Sequence, residues 1–205
     1  MRNIFLVALS IVMAATGRPA IAAAPAVVTS ILPVHALVAS VMQGVGEPVL
    51  LVSGSGSPHH YALKPSQAQA LQRADVVFWV GEDLESFLVK PMQTVGVAAI
   101  SVPLSEVPDL VRRPYRDLTG DRKLNHSSHR HAHAMQSIDP HFWLDPENAI
   151  RWLTVIADQL SERDPDNGFI YQQNASAQMA QIEELSEQIS ARLEGLQAIP
   201  FAVFH

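Results

Sequence analysis

The sequence predicts an α/β fold: a doubly wound lobe on a parallel sheet, followed by one long linker helix. Three observations carry that reading. Short β-branched runs alternate with helical stretches, and two of those helices open on proline. One run, Val76-Val-Phe-Trp-Val80, is apolar throughout, as a strand covered on both faces is. Beyond residue 165, Ile182, Leu185, Ile189, Leu193 and Leu196 recur at three- and four-residue intervals, the period of a helix.

Taken in order, Ala26 to Ile31 reads as a buried strand, and Pro33 introduces a helix over Val34 to Gln43 that Gly44 closes. Pro48 to Val52 returns as a strand, which completes a strand–helix–strand unit and makes the sheet parallel. The unit repeats: a helix from Pro65 to Arg73, a strand from Asp75 to Val80, a helix from Leu84 to Lys90 stopped by Pro91, and a strand from Ala98 to Val102. Asp145 is placed to cap a helix whose first residue is Pro146, and Asp164-Pro165 interrupts it. The following helix, about Asp166 to Leu196, would be roughly 46 Å long at 1.5 Å per residue, a rod suited to joining two lobes. Pro200 to His205 then begins another strand, so the expected division is leader 1–22, lobe 23–164, linker helix 165–197 and, at 198–205, the first strand of a second lobe that is largely missing.

The leader is read from Arg2, the apolar run Ile4 to Ala15 broken only by Ser10, and Ala20-Ile21-Ala22, a small-x-small cleavage signal. An uncleaved amphipathic anchor is the alternative, but this run has no polar face. No other stretch approaches the roughly 20 apolar residues of a transmembrane helix, so stable membrane insertion is not expected. Export implies a periplasmic protein, and the absence of cysteine excludes disulfides, thiolate metal sites and attachment of lipid to a cysteine. Removing 1–22 leaves 12 basic against 20 acidic residues, a net charge of −8. That balance argues against a nucleic-acid partner.

Nine histidines fall into distinct settings. His59 and His60 follow the turn Gly54-Ser-Gly-Ser-Pro58, His141 precedes a capped helix, and His205 ends the last apolar run. All three places adjoin strand or helix ends, where open α/β sheets gather ligands, and neutral imidazoles suit a tetrahedral zinc site. Spacing alone makes no metal motif, because 82 residues separate His59 from His141, and a loop histidine is most often a surface residue. His126, His129, His131 and His133 crowd a polar stretch at about 117–137 with no apolar period. They form either an accessory metal loop or a solvated polar segment.

Three segments resemble the metal-binding components of bacterial zinc and manganese ABC importers. Ser57-Pro-His-His-Tyr-Ala-Leu-Lys-Pro-Ser66 is similar to their first ligand motif, Asp139-Pro-His-Phe-Trp-Leu-Asp-Pro146 to the second and Val203-Phe-His205 to the start of the third. Leu71 to Gly81 resembles the helix and strand after the first motif, and a His-rich loop before the second is typical of the zinc branch. The resemblance implies His59, His141 and His205 as metal ligands and Zn2+ as transported cargo. It places His60 where the family often has Asp, outside the ligand set, and leaves His35 on a helix surface. It further implies an inner-membrane ABC permease as partner and admits an auxiliary periplasmic zinc chaperone. The family's second lobe, about a hundred residues after the third motif, has no counterpart here.

A binding protein that hands zinc to an importer is therefore the leading expectation. Manganese or iron uptake on the same fold is its nearest variant, although imidazole at the third position favours zinc over manganese. A truncated periplasmic zinc buffer using only the His-rich loop is a second class. A zinc hydrolase is the third; His131-Ala-His133 superficially suggests it, but no general base stands beside that pair, and the chain is not expected to be an enzyme.

Overall fold

The computed structural model describes residues 24–54, 56–115 and 138–196. The leader, the stretch carrying His126, His129, His131 and His133, and the C-terminal run with His205 lie outside the described residues. Four strands, β1 (Val27–Thr29), β2 (Val49–Leu50), β3 (Val76–Trp79) and β4 (Ile100–Pro103), form one parallel sheet in the order β2-β1-β3-β4. The helices are α1 (Leu32–Val41), α2 (Pro65–Arg73), α3 (Ser86–Thr94), α4 (Pro146–Arg163) and α5 (Gly168–Leu193). The chain steps outward from β1 to β2, then crosses β1 to lay β3 on its other side. This reversal puts the switch point between the C-terminal ends of β1 and β3.

Side-chain alternation builds the layers. Val27, Val76 and Phe78 face a core shared with Val34 and Val38 of α1, Trp152 and Ile156 of α4, and Tyr171 of α5. Val28, Val77 and Trp79 face the opposite way, onto Leu71 of α2 and Leu88 of α3. Both faces of β1 and β3 are thus dry, which is why β3 is apolar at every position and Val27, Val28 and Thr29 of β1 are all buried. Trp152 is fully buried and its indole N–H donates to the Leu104 carbonyl at 2.9 Å, tying α4 to the chain leaving β4.

The elements follow the sequence closely, with three instructive differences. The helix after β3 runs through Pro91 to Thr94 instead of stopping there. A proline six residues into a short helix removes only one backbone bond, and the next turn re-forms with Val95 N–H on the Pro91 carbonyl at 2.9 Å. β4 starts later than expected because Gly96 to Ala99 closes a turn first, and Pro103 is tolerated because β4 is an edge strand. At the other edge β2 is short, yet Leu51 and Val52 still donate to Thr29 and Ser30 carbonyls at 2.9 and 2.8 Å. Gly44, at φ +82°, turns the chain out of α1 as a helix-ending glycine does.

The first half of α5 belongs to this lobe. Tyr171 and Ala175 are buried against α1 and α4, and Asn174 donates to the Val41 and Gln43 carbonyls, both at 2.9 Å. Its second half leaves Leu185, Ile189 and Leu193 about half exposed. Among the described residues no helix is long and apolar enough to cross a membrane.

Candidate metal centre

Two turns bring the candidate ligands together. The first is a 3-10 turn, Pro58–His60, reached from β2. It is packed by Tyr61, whose ring lies 5.2 Å from that of Phe87 and so closely over Gly56 that a Cβ there would meet the ring at 3.1 Å. The second is the 3-10 turn Phe142–Leu144, with His141 at its entry. Phe142 is buried in the core, Asn148 donates to its carbonyl at 3.0 Å, and the Asp145 carboxylate accepts the Glu147 N–H at 3.1 Å to start α4. The expected cap and proline-first helix are therefore present.

These turns set the His59 and His141 rings 5.7 Å apart, centre to centre, across 82 residues of sequence. With Zn–N bonds of about 2.0–2.1 Å, each ring centre would lie roughly 3.2 Å from the metal, and a tetrahedral angle would separate two centres by about 5 Å. The observed centre-to-centre separation is close to that value. His141 is oriented as well as placed. Its Nδ1 lies 2.5 Å from Asp139 Oδ1, and its backbone N–H donates to the same oxygen at 3.0 Å. With Nδ1–H given to the carboxylate, the lone pair sits on Nε2, the arrangement in which a carboxylate fixes the tautomer of a metal-binding imidazole. Trp143 packs edge-on against the same ring at 5.1 Å.

Sequence reasoning assigned no role to Asp139, although a carboxylate two residues before a histidine is a recognisable signal. Partial burial first, then the charges of Asp139 and Asp83, push the Tyr115 phenol above its ordinary value. A cavity of about 280 Å3 opens beside His141, lined by Arg113, Asp139, Phe142, Asp145 and Asn148. A larger one, about 490 Å3, lies at the opposite end of the strands among Ala24, Glu47, Ser66 and Arg73; it contains no histidine, so size does not mark the site.

His60 is exposed beside His59. His35 is half-buried, not simply on a helix surface: its Nδ1 lies 3.0 Å from the Thr29 hydroxyl, and burial lowers its pKa against the opposing charge of Glu47. Among the described residues no three His, Asp or Glu side chains are grouped closely enough to hold a metal alone. The described half-site is a histidine pair, and the third expected ligand, His205, lies outside it.

Residues 27–205 match the family model described as ZnuA, zinc-uptake complex component A, periplasmic. The chain belongs to the ZnuA family. A high-affinity zinc uptake system protein ZnuA from Brucella abortus (strain 2308) is 35% identical over 204 residues, an alignment that takes in 87% of this chain and 61% of that one. The manganese-binding lipoprotein MntA of Halalkalibacterium halodurans is 34% identical over 133 residues, covering 64% of this chain and 37% of its own. A crystal structure of a zinc-bound ZnuA deletion mutant superposes with a TM-score of 0.70 at 25% identity, covering 87% of this chain and 62% of that one. The chain thus spans about 61% of the length of the Brucella ZnuA, and what it shares with the ZnuA family is the parallel-sheet lobe described above.

Proposed function

We propose that this chain is the zinc-capturing lobe of a periplasmic binding protein that delivers Zn2+ to an inner-membrane ABC importer. His59 and His141 serve as two of its ligands and His205 as the third. The observation that supports this most directly is the 5.7 Å approach of the two rings, with His141 oriented by Asp139. The zinc-uptake role of the ZnuA relatives supports the same reading. The ion is cargo: neutral imidazoles hold it without a resident group and release it when protonated or when the ligands part. An auxiliary zinc chaperone would feed the same cleft, and His126, His129, His131 and His133 would gather zinc near it.

Manganese or iron binding is the second reading, favoured by the likeness to the manganese-binding lipoprotein. A nitrogen-rich ligand set argues for zinc. The test takes residues 23–205 with His126, His129, His131 and His133 changed to alanine, equilibrated with equal zinc and manganese beside a competing chelator. Retention of one zinc per chain, lost in His59→Ala and in His141→Ala, is the expected result. Preferential manganese retention would replace zinc with the second reading. Metal retained only when the four loop histidines are present would reduce the chain to a buffer.

A further inference from the structure

Gln67, on the first turn of α2, makes more contacts than a half-buried surface glutamine needs. Its Oε1 accepts the Lys64 N–H at 2.8 Å, which fixes the amide's orientation, since only an oxygen can face that donor. Its Nε2 then donates to the Leu51 carbonyl at 2.5 Å and to the Tyr61 hydroxyl at 2.8 Å. The Tyr61 hydroxyl itself donates to the Leu51 carbonyl at 3.3 Å. One side chain therefore ties together the end of β2, the residue two positions after His59, and the entry to α2. Every hydrogen-bonding atom of its amide is used.

This bridge spans the base of the loop that carries His59. The loop leaves the sheet after Val52 and rejoins regular structure at Pro65, so its two ends are Leu51 and Lys64, the backbone groups Gln67 holds. Between them Tyr61 is the inner support, wedged between Gly56 and Phe87. His141 has an orienting partner of its own in Asp139; the structure offers the His59 turn this three-way clamp.

We infer that Gln67, acting through Tyr61, is a positioning residue for metal capture: it presets the His59 arm at the spacing from His141 that a zinc ion requires. The inference rests on His59 being a ligand. A group hydrogen-bonded directly to a metal ligand typically contributes about tenfold or more to affinity. Gln67 stands further out, reaching His59 through Tyr61, so the lower end of that range, about tenfold, is the most it should contribute. A stability role alone would not change the local order of the turn or the affinity of the folded protein.

The experiment uses the full chain with Gln67→Met, which keeps the bulk and loses the bridge, and Tyr61→Phe, which keeps the ring and loses the hydroxyl. Gln69→Met, an exposed position on the same helix, is the control. Zinc affinity is measured by chelator competition well below the unfolding temperature, and backbone order at residues 58–61 by NMR relaxation of the metal-free protein. Gln67→Met should weaken zinc severalfold, at most about tenfold, and loosen 58–61 while His141 keeps its order; Tyr61→Phe should do the same to a smaller degree, and the control neither. Affinity within twofold of the parent in Gln67→Met, or loss of order without loss of affinity, overturns the positioning role even when His59→Ala abolishes binding. Unchanged binding in His59→Ala sinks the ligand reading, and this inference with it.

Discussion

The two histidine arms are built by opposite means. The ring of His141 is oriented locally, by a carboxylate two residues away, while its turn is fastened by Asn148 and Asp145 within seven residues, and these two are tied in turn to Val111 and Arg113. His59 is held at a distance, by an aromatic wedge from α3 and by the Gln67 bridge between the end of β2 and the start of α2. A ring oriented by a near neighbour should keep that orientation when distant contacts are lost, whereas a turn held by remote contacts inherits their weaknesses. The division is also a division of labour: one arm fixes a tautomer, the other a position.

Several substitutions separate the two. The largest effect is expected from His59→Ala and His141→Ala, each of which should abolish zinc retention in the chelator assay; retention in either would mean that arm carries no ligand. Next comes Trp152→Ala, which removes a fully buried indole and its bond to Leu104 beneath the His141 arm. It should destabilise the lobe by about 3–5 kcal/mol in urea unfolding, and a loss below about 1 kcal/mol would mean that α4 is not the foundation of that arm. Asp139→Asn should weaken zinc about tenfold by releasing the imidazole tautomer, with little change in stability. If stability fell and affinity held, Asp139 would be a structural cap. Asp145→Ala should do the reverse, costing about 1 kcal/mol of stability through the lost cap and leaving affinity near the parent's.

The smallest effect concerns the strand that leads to His59. His35 pairs with Thr29, whose hydroxyl also donates to the Val49 carbonyl of β2 at 3.3 Å. Burial lowers the pKa of His35 below its ordinary 6.5, so the unfolded chain takes up a proton that the folded one refuses. The stability contributed by this neutral imidazole is complete above about 6.5 and is lost progressively as pH falls below it. In metal-free protein, His35→Gln should shallow the decline in stability between pH 7 and 5; an unchanged slope would assign that decline to other groups.

Much of this architecture was legible in the sequence because it is written in local terms. The β-branched run Val27, Val28 and Thr29, proline at the head of α2 and α4, and Asp145 before Pro146 each depend on neighbours within a few residues. Pro91 misled because a proline inside a helix, although it loses a hydrogen bond and crowds the preceding turn, does not end one whose Leu88 is buried in the core and whose next turn re-forms. The meeting of His59 and His141 was not legible from spacing, since tertiary packing alone closes 82 residues of separation; only resemblance to a family pointed to it. Asp139 could have been found from the Asp-Pro-His pattern. Gln67 could not, because nothing in a helix-opening glutamine announces a carbonyl sixteen residues back.

A last consequence belongs to the short antiparallel bridge between Pro114 and Ile138, reinforced by the Asp139 N–H on the Arg113 carbonyl at 2.9 Å. It holds Pro114 beside Ile138, three residues before His141. Doubling the length of a chain that joins two such residues adds only about 0.6 kcal/mol of closure entropy. The pairing of Pro114 with Ile138 thus keeps the entry to His141 in place whatever the length of the chain that joins them.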